Sequence, residues 1–130
     1  MDSSYLGRVL LVGLGGFVGS SARFVASGLV HRMFPLSTFP IGTFAVNVAG
    51  CLAIGFLGGL LELRQMLGPA QRLFLLLGVL GGFTTFSTFA YETLSLAHAS
   101  EVMKAALNVA GQVLLGLLAA WAGYLGAQTL

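Results

Sequence analysis

Hydrophobic positions along the chain fall into four long runs, at residues 7–30, 41–61, 73–95 and 105–127. Each run reaches the roughly 20 residues that a helix needs to cross about 30 Å of hydrocarbon. The short stretches between the runs carry all three prolines and most of the charged residues. The pattern predicts an all-α membrane protein, in which residues 1–130 form one domain of four transmembrane helices.

The composition supports this prediction and excludes several classes of protein. The chain is 57% apolar and 8% charged, with a mean hydropathy of +0.95, whereas soluble domains carry roughly 25% charged residues. Its net charge of +2 comes from six scattered basic residues, so no nucleic-acid partner is expected. Cys51 is the single cysteine, which leaves no disulfide framework. The sequence has no nucleophile–base pair and no cluster at metal-ligand spacing, so we do not expect an enzyme.

The basic residues give almost no signal for orientation in the membrane. Four spans place both termini on one side, and the number of Lys and Arg residues on each side sets the preferred orientation. Three basic residues fall on each side: Arg8, Arg64 and Arg72 with the termini, and Arg23, Arg32 and Lys104 opposite them. Leaving out Arg23, which falls late in the first span, gives three against two, so the bias is close to nil either way. We therefore expect the chain to insert in both orientations, which allows two copies to pair antiparallel.

Two pairs of glycines four residues apart, Gly15/Gly19 and Gly55/Gly59, lie within the spans. Small residues at this spacing let membrane helices approach closely. We favour packing within one subunit over a seam between subunits as their role. Because four helices enclose little room for an aqueous path, we also expect the chain to form an oligomer.

Polar residues at membrane depth are costly unless they face protein or water, so they are the candidates for function. Thr43 and Asn47 lie four residues apart on one face of the second span. Asn47 is either a hydrogen-bond donor to a ligand or one half of an interhelical hydrogen bond. Arg23, late in the first span, either attracts anions to a vestibule or reaches to the membrane interface.

The third span contains the most informative stretch, Gly-Gly-Phe-Thr-Thr-Phe-Ser-Thr-Phe at residues 81–89. Adjacent glycines are poor helix formers, and closely spaced hydroxyls compete for backbone hydrogen bonds. We predict that the helix breaks here and frees backbone carbonyls, which would suit a cation such as Na⁺. A kink without an ion is the alternative.

Phe86 and Phe89 lie three residues apart and therefore on one helical face. An aromatic ring has a positive edge, so two rings turned edge-on to a pore would favour an anion. Ordinary packing is the alternative. The same spacing places Glu92 on the face of the two rings.

Three segments carry recognisable motifs, at residues 15–24 (Gly-Gly-Phe-Val-Gly-Ser-Ser-Ala-Arg-Phe), 42–50 (Gly-Thr-Phe-Ala-Val-Asn-Val-Ala-Gly) and 81–89. Together they resemble the small bacterial fluoride channel family, often called Fluc or CrcB, and the likeness covers essentially the whole chain. It implies a dual-topology, antiparallel homodimer with two fluoride pores and a central structural Na⁺ that is not transported. By that likeness, the backbone carbonyls of Gly81 and Thr84 from both subunits would hold the Na⁺.

The resemblance also implies roles for individual side chains in a pore. These would be Phe86 and Phe89 as lining, Asn47 as a donor to fluoride, Thr43, Thr85 and Ser87 as further polar contacts, and Arg23 at the vestibule. One departure concerns the fourth span, where members of the family tend to carry a serine that contributes to the pore. This chain has Gln112 in a stretch without a hydroxyl, so either Gln112 substitutes or the pore is tuned differently.

The function that the resemblance implies is passive export of cytoplasmic fluoride by a multi-pass protein of the bacterial inner membrane. Its expected partners are fluoride, a second copy of the chain and the lipid bilayer. One alternative is a small proton-coupled multidrug transporter, which needs a carboxylate within the membrane, whereas Glu92 lies near the end of its predicted span. The other is a non-transporting assembly subunit, which has no use for a broken span rich in hydroxyls.

The balanced charges lead to a prediction about topology. Fusing the C-terminus to reporters that are active on opposite sides of the membrane should give signal from both, because the positive residues favour neither orientation. Adding two lysines to the 96–104 loop is the control and should suppress one reporter. Signal from only one reporter in the unmodified chain would contradict the prediction.

Overall fold

The structure, a computed structural model, describes residues 3–64 and 67–129, and it has the four helical spans that the sequence predicts. The first, second and fourth spans are the continuous α-helices Ser3–Met33, Ile41–Arg64 and Val102–Gln128. The third is assembled from Pro69–Arg72, a π-helical segment Leu73–Leu80, the short α-helix Gly81–Phe83 and, after a break, Phe86–His98. All four spans are long and apolar enough to cross a membrane.

The third span begins earlier than the predicted residue 73. Proline is well suited to the first helical turn because its fixed φ matches the helix and its missing N–H would be unpaired there. Pro69 occupies that position, and the Gln71 side chain accepts a hydrogen bond of 2.8 Å from the Gly68 N–H. Together these local features start the helix at the loop.

Many large apolar side chains point outwards, and small residues fill much of the interior beside Val46, Leu61, Leu80 and Leu96. Phe17, Leu117 and Trp121 are exposed, whereas several glycines and alanines are buried, among them Gly15, Gly19, Gly78, Gly116, Gly123 and Ala127. This is the reverse of a soluble protein. It is expected where lipid surrounds the helices and close backbone approach holds them together.

The helices pack as two close pairs. The second span packs most extensively against the fourth, and the first span against the first half of the third. A Cβ atom at Gly19 would overlap the Val79 carbonyl, and one at Gly55 would overlap that of Ala120. Both glycine pairs therefore serve packing within the subunit, as predicted.

The third span is broken, as predicted, but the two glycines do not break it. Gly81 has helical dihedral angles (φ −62°, ψ −35°), and the helix continues to Phe83. Gly82 is needed because a Cβ there would lie 2.7 Å from the Gly16 carbonyl oxygen of the first span. Close packing thus overrides the poor helix propensity of glycine.

The break lies at Thr84 and Thr85, whose backbones are extended (φ −88°, ψ 160° and φ −152°, ψ 121°). Their hydroxyls bond to the flanking backbone. The Thr84 hydroxyl donates to the Leu80 carbonyl (3.0 Å), and Thr85 Oγ1 accepts from the Thr88 N–H (3.2 Å). Beyond the break, the second half of the third span packs mainly against the fourth span.

Candidate functional site

The break removes helical hydrogen-bond partners from backbone carbonyls on its N-terminal side. In a continuous helix, the N–H of Thr85 would bond to Gly81 and the N–H of Thr88 to Thr84. Instead, Thr85 N–H donates to Asn47 Oδ1 (2.9 Å) and Thr88 N–H donates to Thr85 Oγ1. The carbonyls that lose such partners include those of Gly81 and Thr84, the two residues predicted to hold a cation.

The side chain of Asn47 pairs with both sides of the Thr85 residue. Its oxygen accepts from the Thr85 N–H, and its Nδ2 donates to the Thr85 carbonyl (3.0 Å). The second Nδ2 hydrogen goes to Gln112 Oε1 on the fourth span (2.7 Å). The interhelical hydrogen bond that the sequence left open as an alternative is therefore present, and it connects three spans.

Gln112 begins a relay of hydrogen bonds that the sequence did not predict. Gln112 Nε2 donates to Asn108 Oδ1 (3.1 Å), Asn108 Nδ2 donates to Thr93 Oγ1 (2.9 Å), and the Thr93 hydroxyl donates to the Phe89 carbonyl (2.8 Å). Asn108 is completely buried. The sequence hinted at this relay only through Asn108 and Gln112, which lie four residues apart in an apolar helix. Nothing in the sequence connected these two residues to Thr93.

A cavity of about 390 Å³, here called the ring cavity, lies beside these residues. Its polar and aromatic lining comes from three spans: Asn47, Thr84, Thr85, Phe86, Phe89 and Gln112. The rings of Phe86 and Phe89 are 5.4 Å apart between centroids and are tilted by 55°. The predicted shared face of the two rings is confirmed, and 79% of Phe86 is exposed in the single chain.

A second, larger cavity of about 750 Å³, here called the arginine cavity, is lined by Arg23, Thr43, Thr85 and Glu92 among others. Arg23 Nη1 donates to the Thr84 carbonyl (3.2 Å), so the guanidinium lies at the break rather than at the membrane interface. Thr85 lines both cavities. The break is therefore the wall that the two cavities share.

Glu92 lies in the arginine cavity, not beside the rings as the three-residue spacing predicted. Each step of three residues falls about 60° short of a full turn, so two steps carry a residue about 120° away from Phe86. The Thr43 hydroxyl donates to Glu92 Oε1 (2.7 Å). The other carboxylate oxygen is buried and has no hydrogen-bond partner within the described part of the chain.

The structure thus gathers most of the predicted site residues around the break, in two groups. Asn47, Gly81, Thr84, Phe86 and Phe89 line the ring cavity, Arg23 and Thr43 line the arginine cavity, and Thr85 lines both. Ser87 lines neither cavity, although its hydroxyl lies 3.4 Å from Thr85 Oγ1. Across residues 3–64 and 67–129, no three His, Cys, Asp or Glu side chains cluster as metal ligands would.

Fold and site together define a multi-pass membrane protein with a polar, aromatic-lined site at a broken span. The chain matches the model of the family described as "CrcB-like protein, Camphor Resistance (CrcB)" over residues 10–124, and it belongs to this family.

Three relatives are named "Fluoride-specific ion channel FluC". The protein of Nitratidesulfovibrio vulgaris Miyazaki F is 49% identical, over 89% of this chain and 93% of its own length. That of Maridesulfovibrio salexigens is 46% identical, over 84% and 86%. That of Methylobacillus flagellatus is 45% identical, over 90% and 91%.

The pairing of Asn47 with Thr85 leads to a prediction about stability. In Asn47→Leu, the Thr85 N–H and carbonyl lose their partners in an apolar setting, which should lower the free energy of unfolding by about 2–4 kcal/mol. Chemical unfolding in detergent micelles measures this, and the Thr85 amide should exchange its hydrogen faster. Gln128→Leu, at an exposed position of the fourth span, is the matched control. Equal stability of the two variants would refute the structural role of Asn47.

Proposed function

We propose that the chain is the subunit of a fluoride-specific ion channel that lets fluoride cross the membrane passively. The names of the relatives support this function, as does the family match. The observation that carries it is the ring cavity, where side-chain amides of two spans stand beside the tilted pair of Phe rings. The relatives' names give no support to the multidrug-transporter or assembly-subunit alternatives.

Dehydration is the main physical obstacle for fluoride, a small anion that holds its water tightly. A pore must offer replacement donors along the way, and it must bind weakly enough for release. The Arg23 guanidinium supplies positive charge in the arginine cavity, and the hydroxyls of Thr43 and Thr85 line the same cavity. In this structure they donate to Glu92 Oε1 and Thr88 Oγ1, so each would have to release that acceptor to bind fluoride.

Beyond Thr85, the route continues past Asn47 and the positive edges of the two rings. Ser87 lines neither cavity in the single chain. It would line the route only if a second chain covered the exposed side of the break.

An antiparallel homodimer would supply that cover. The ring of Phe86 is largely exposed in one chain, and the ring cavity is open on the same side. A second copy in the opposite orientation would close the cavity, and the nearly even distribution of basic residues permits both orientations. The proposed unit is therefore two chains that share the walls of two pores.

A structural Na⁺ between the two copies is the third part of the proposal. Gly81 and Thr84 fit such an ion, because the break diverts the N–H groups that their carbonyls would otherwise accept. Gly81 and Thr84 offer two such oxygens in one chain, and an antiparallel partner would double them. Arg23 donates to the Thr84 oxygen, and its charge makes that carbonyl the weaker cation ligand of the two. When bound, the ion would supply a fixed positive charge at the centre of the dimer.

Fluoride efflux from liposomes that contain the purified protein tests the function. We expect rapid fluoride efflux and at least about a hundredfold slower chloride efflux, because a narrow site matched to fluoride leaves the larger chloride poorly coordinated. Phe86→Ile and Phe89→Ile should each lower fluoride flux by about tenfold or more, since isoleucine fills space but has no positive edge.

Phe17→Ile, at an exposed position of the first span that lines neither cavity, is the matched control and should keep normal flux. The variants of both rings should also keep the dimer, as measured by cross-linking in detergent. Absence of fluoride efflux from the unmodified protein, or equal chloride efflux, would overturn the function. Unchanged flux in both ring variants would remove the rings from the mechanism.

Replacing sodium tests the ion site without reference to transport. In buffers where K⁺ or a large organic cation replaces Na⁺, we expect the midpoint of thermal dimer dissociation to fall by several degrees, because an ion that binds only the dimer stabilises it by mass action. The dependence should saturate with Na⁺ concentration. A midpoint that is independent of the cation at matched ionic strength would refute the site.

A further inference from the structure

Asn47, the proposed donor to fluoride, has no N–H left to give in this structure. An amide side chain has two N–H donors and one carbonyl acceptor. Both hydrogens on Asn47 Nδ2 are used, one by the Thr85 carbonyl and one by Gln112 Oε1. An anion that is to bind Asn47 must therefore displace one of these acceptors.

Gln112 is the acceptor that can be displaced. The Thr85 contact closes a two-point pairing with a backbone residue at the break, and losing it would leave the Thr85 carbonyl unpaired. Gln112 Oε1 instead belongs to a side chain whose terminal torsion is soft, and this side chain lines the ring cavity beside Asn47. Gln112 also has a spare donor, because only one hydrogen of Nε2 is used, by Asn108 Oδ1.

We propose that Asn47 and Gln112 form an anion site with two donors, and that anion binding reverses the polarity of the relay behind it. In the empty site, donation runs from Asn47 through Gln112, Asn108 and Thr93 to the Phe89 carbonyl. When fluoride enters, Asn47 and Gln112 both turn N–H groups towards it. The amides of Gln112 and Asn108 both rotate, so that the Gln112 oxygen accepts from Asn108 Nδ2 and the Asn108 oxygen accepts from the Thr93 hydroxyl.

The reversal conserves the number of hydrogen bonds. The empty relay has four links, from Asn47 Nδ2 to the Phe89 carbonyl. With fluoride bound there are two links to the anion, one from Asn108 to Gln112 and one from the Thr93 hydroxyl to Asn108. A hydroxyl can donate or accept, so Thr93 serves in both states. Only the Phe89 carbonyl gives up a bond, to the hydroxyl of Thr93.

A conducting site must bind its ion and must also release it, and the exchange meets both demands. Hydrogen bonds to a charged partner are roughly twice as strong as neutral ones, so the anion wins the competition for Asn47. When it leaves, the neutral bond between Asn47 and Gln112 forms again, which offsets part of the loss and favours release. Gln112 is thus both a ligand of the anion and the group that closes the empty site.

The proposal rests on the proposed function, and a substitution that is close to isosteric tests it separately. In Gln112→Met, the empty site loses a neutral hydrogen bond and the occupied site loses a stronger charged one. The fluoride concentration that gives half-maximal flux should therefore rise roughly three- to thirtyfold. Gln128→Met, on the exposed end of the same helix, is the matched control and should match the unmodified protein.

The direction of change separates the proposal from simpler roles for Gln112. If Gln112 only blocked Asn47, methionine would free the Asn47 N–H and lower the fluoride concentration that gives half-maximal flux. If it were only a packing group, maximal flux would fall while the half-saturating concentration stayed constant. Either result overturns the proposal. Absence of fluoride flux in the unmodified protein would instead overturn the function on which the proposal rests.

Side-chain amide NMR of the unmodified protein tests the relay without any substitution. Adding sodium fluoride to ¹⁵N-labelled protein in micelles, with sodium chloride as the reference, should shift the amide protons of Asn47 and Gln112. It should also shift those of Asn108, which is buried behind Gln112, while Gln71 and Gln128 stay unchanged. A stationary Gln112 signal would overturn the anion site, and a stationary Asn108 signal would overturn the reversal.

Discussion

The pairing of the Asn47 side chain with the Thr85 backbone is the interaction on which the rest of the site depends. Within a bilayer, no water is available for the peptide groups that a broken helix leaves unpaired, so the break requires protein partners. Asn47 supplies an acceptor and a donor at the spacing that the Thr85 N–H and carbonyl need. The Thr85 hydroxyl and Arg23 serve two further groups, the Thr88 N–H and the Thr84 carbonyl.

Because of the break, the two halves of the third span pack against different helices. Its first half lies against the glycines of the first span, and its second half lies against the fourth span. This change of partner brings the two Phe rings next to Gln112. It also places Thr85 between a cavity with an arginine and a cavity with aromatic rings. One local irregularity thus assembles residues from all four spans.

The sequence predicted the spans, the broken third helix and the shared face of Phe86 and Phe89, because each follows from short-range periodicity or composition. It placed the break too early, since the contact of Gly82 with Gly16 depends on how two distant spans pack. The relay through Asn108 and Thr93 was also missed. It depends on the axial register of the second, third and fourth spans, and no spacing within one helix contains that information.

The relay has a consequence for how this sequence can change over time. Each of its amides is matched to a neighbour by donor and acceptor, so replacing one of them alone leaves a buried polar group of the next without a partner. We therefore expect single substitutions at these sites to cost more stability than concerted exchanges that keep every donor paired with an acceptor. Positions 47, 93, 108 and 112 are expected to vary together, although they lie on three different spans.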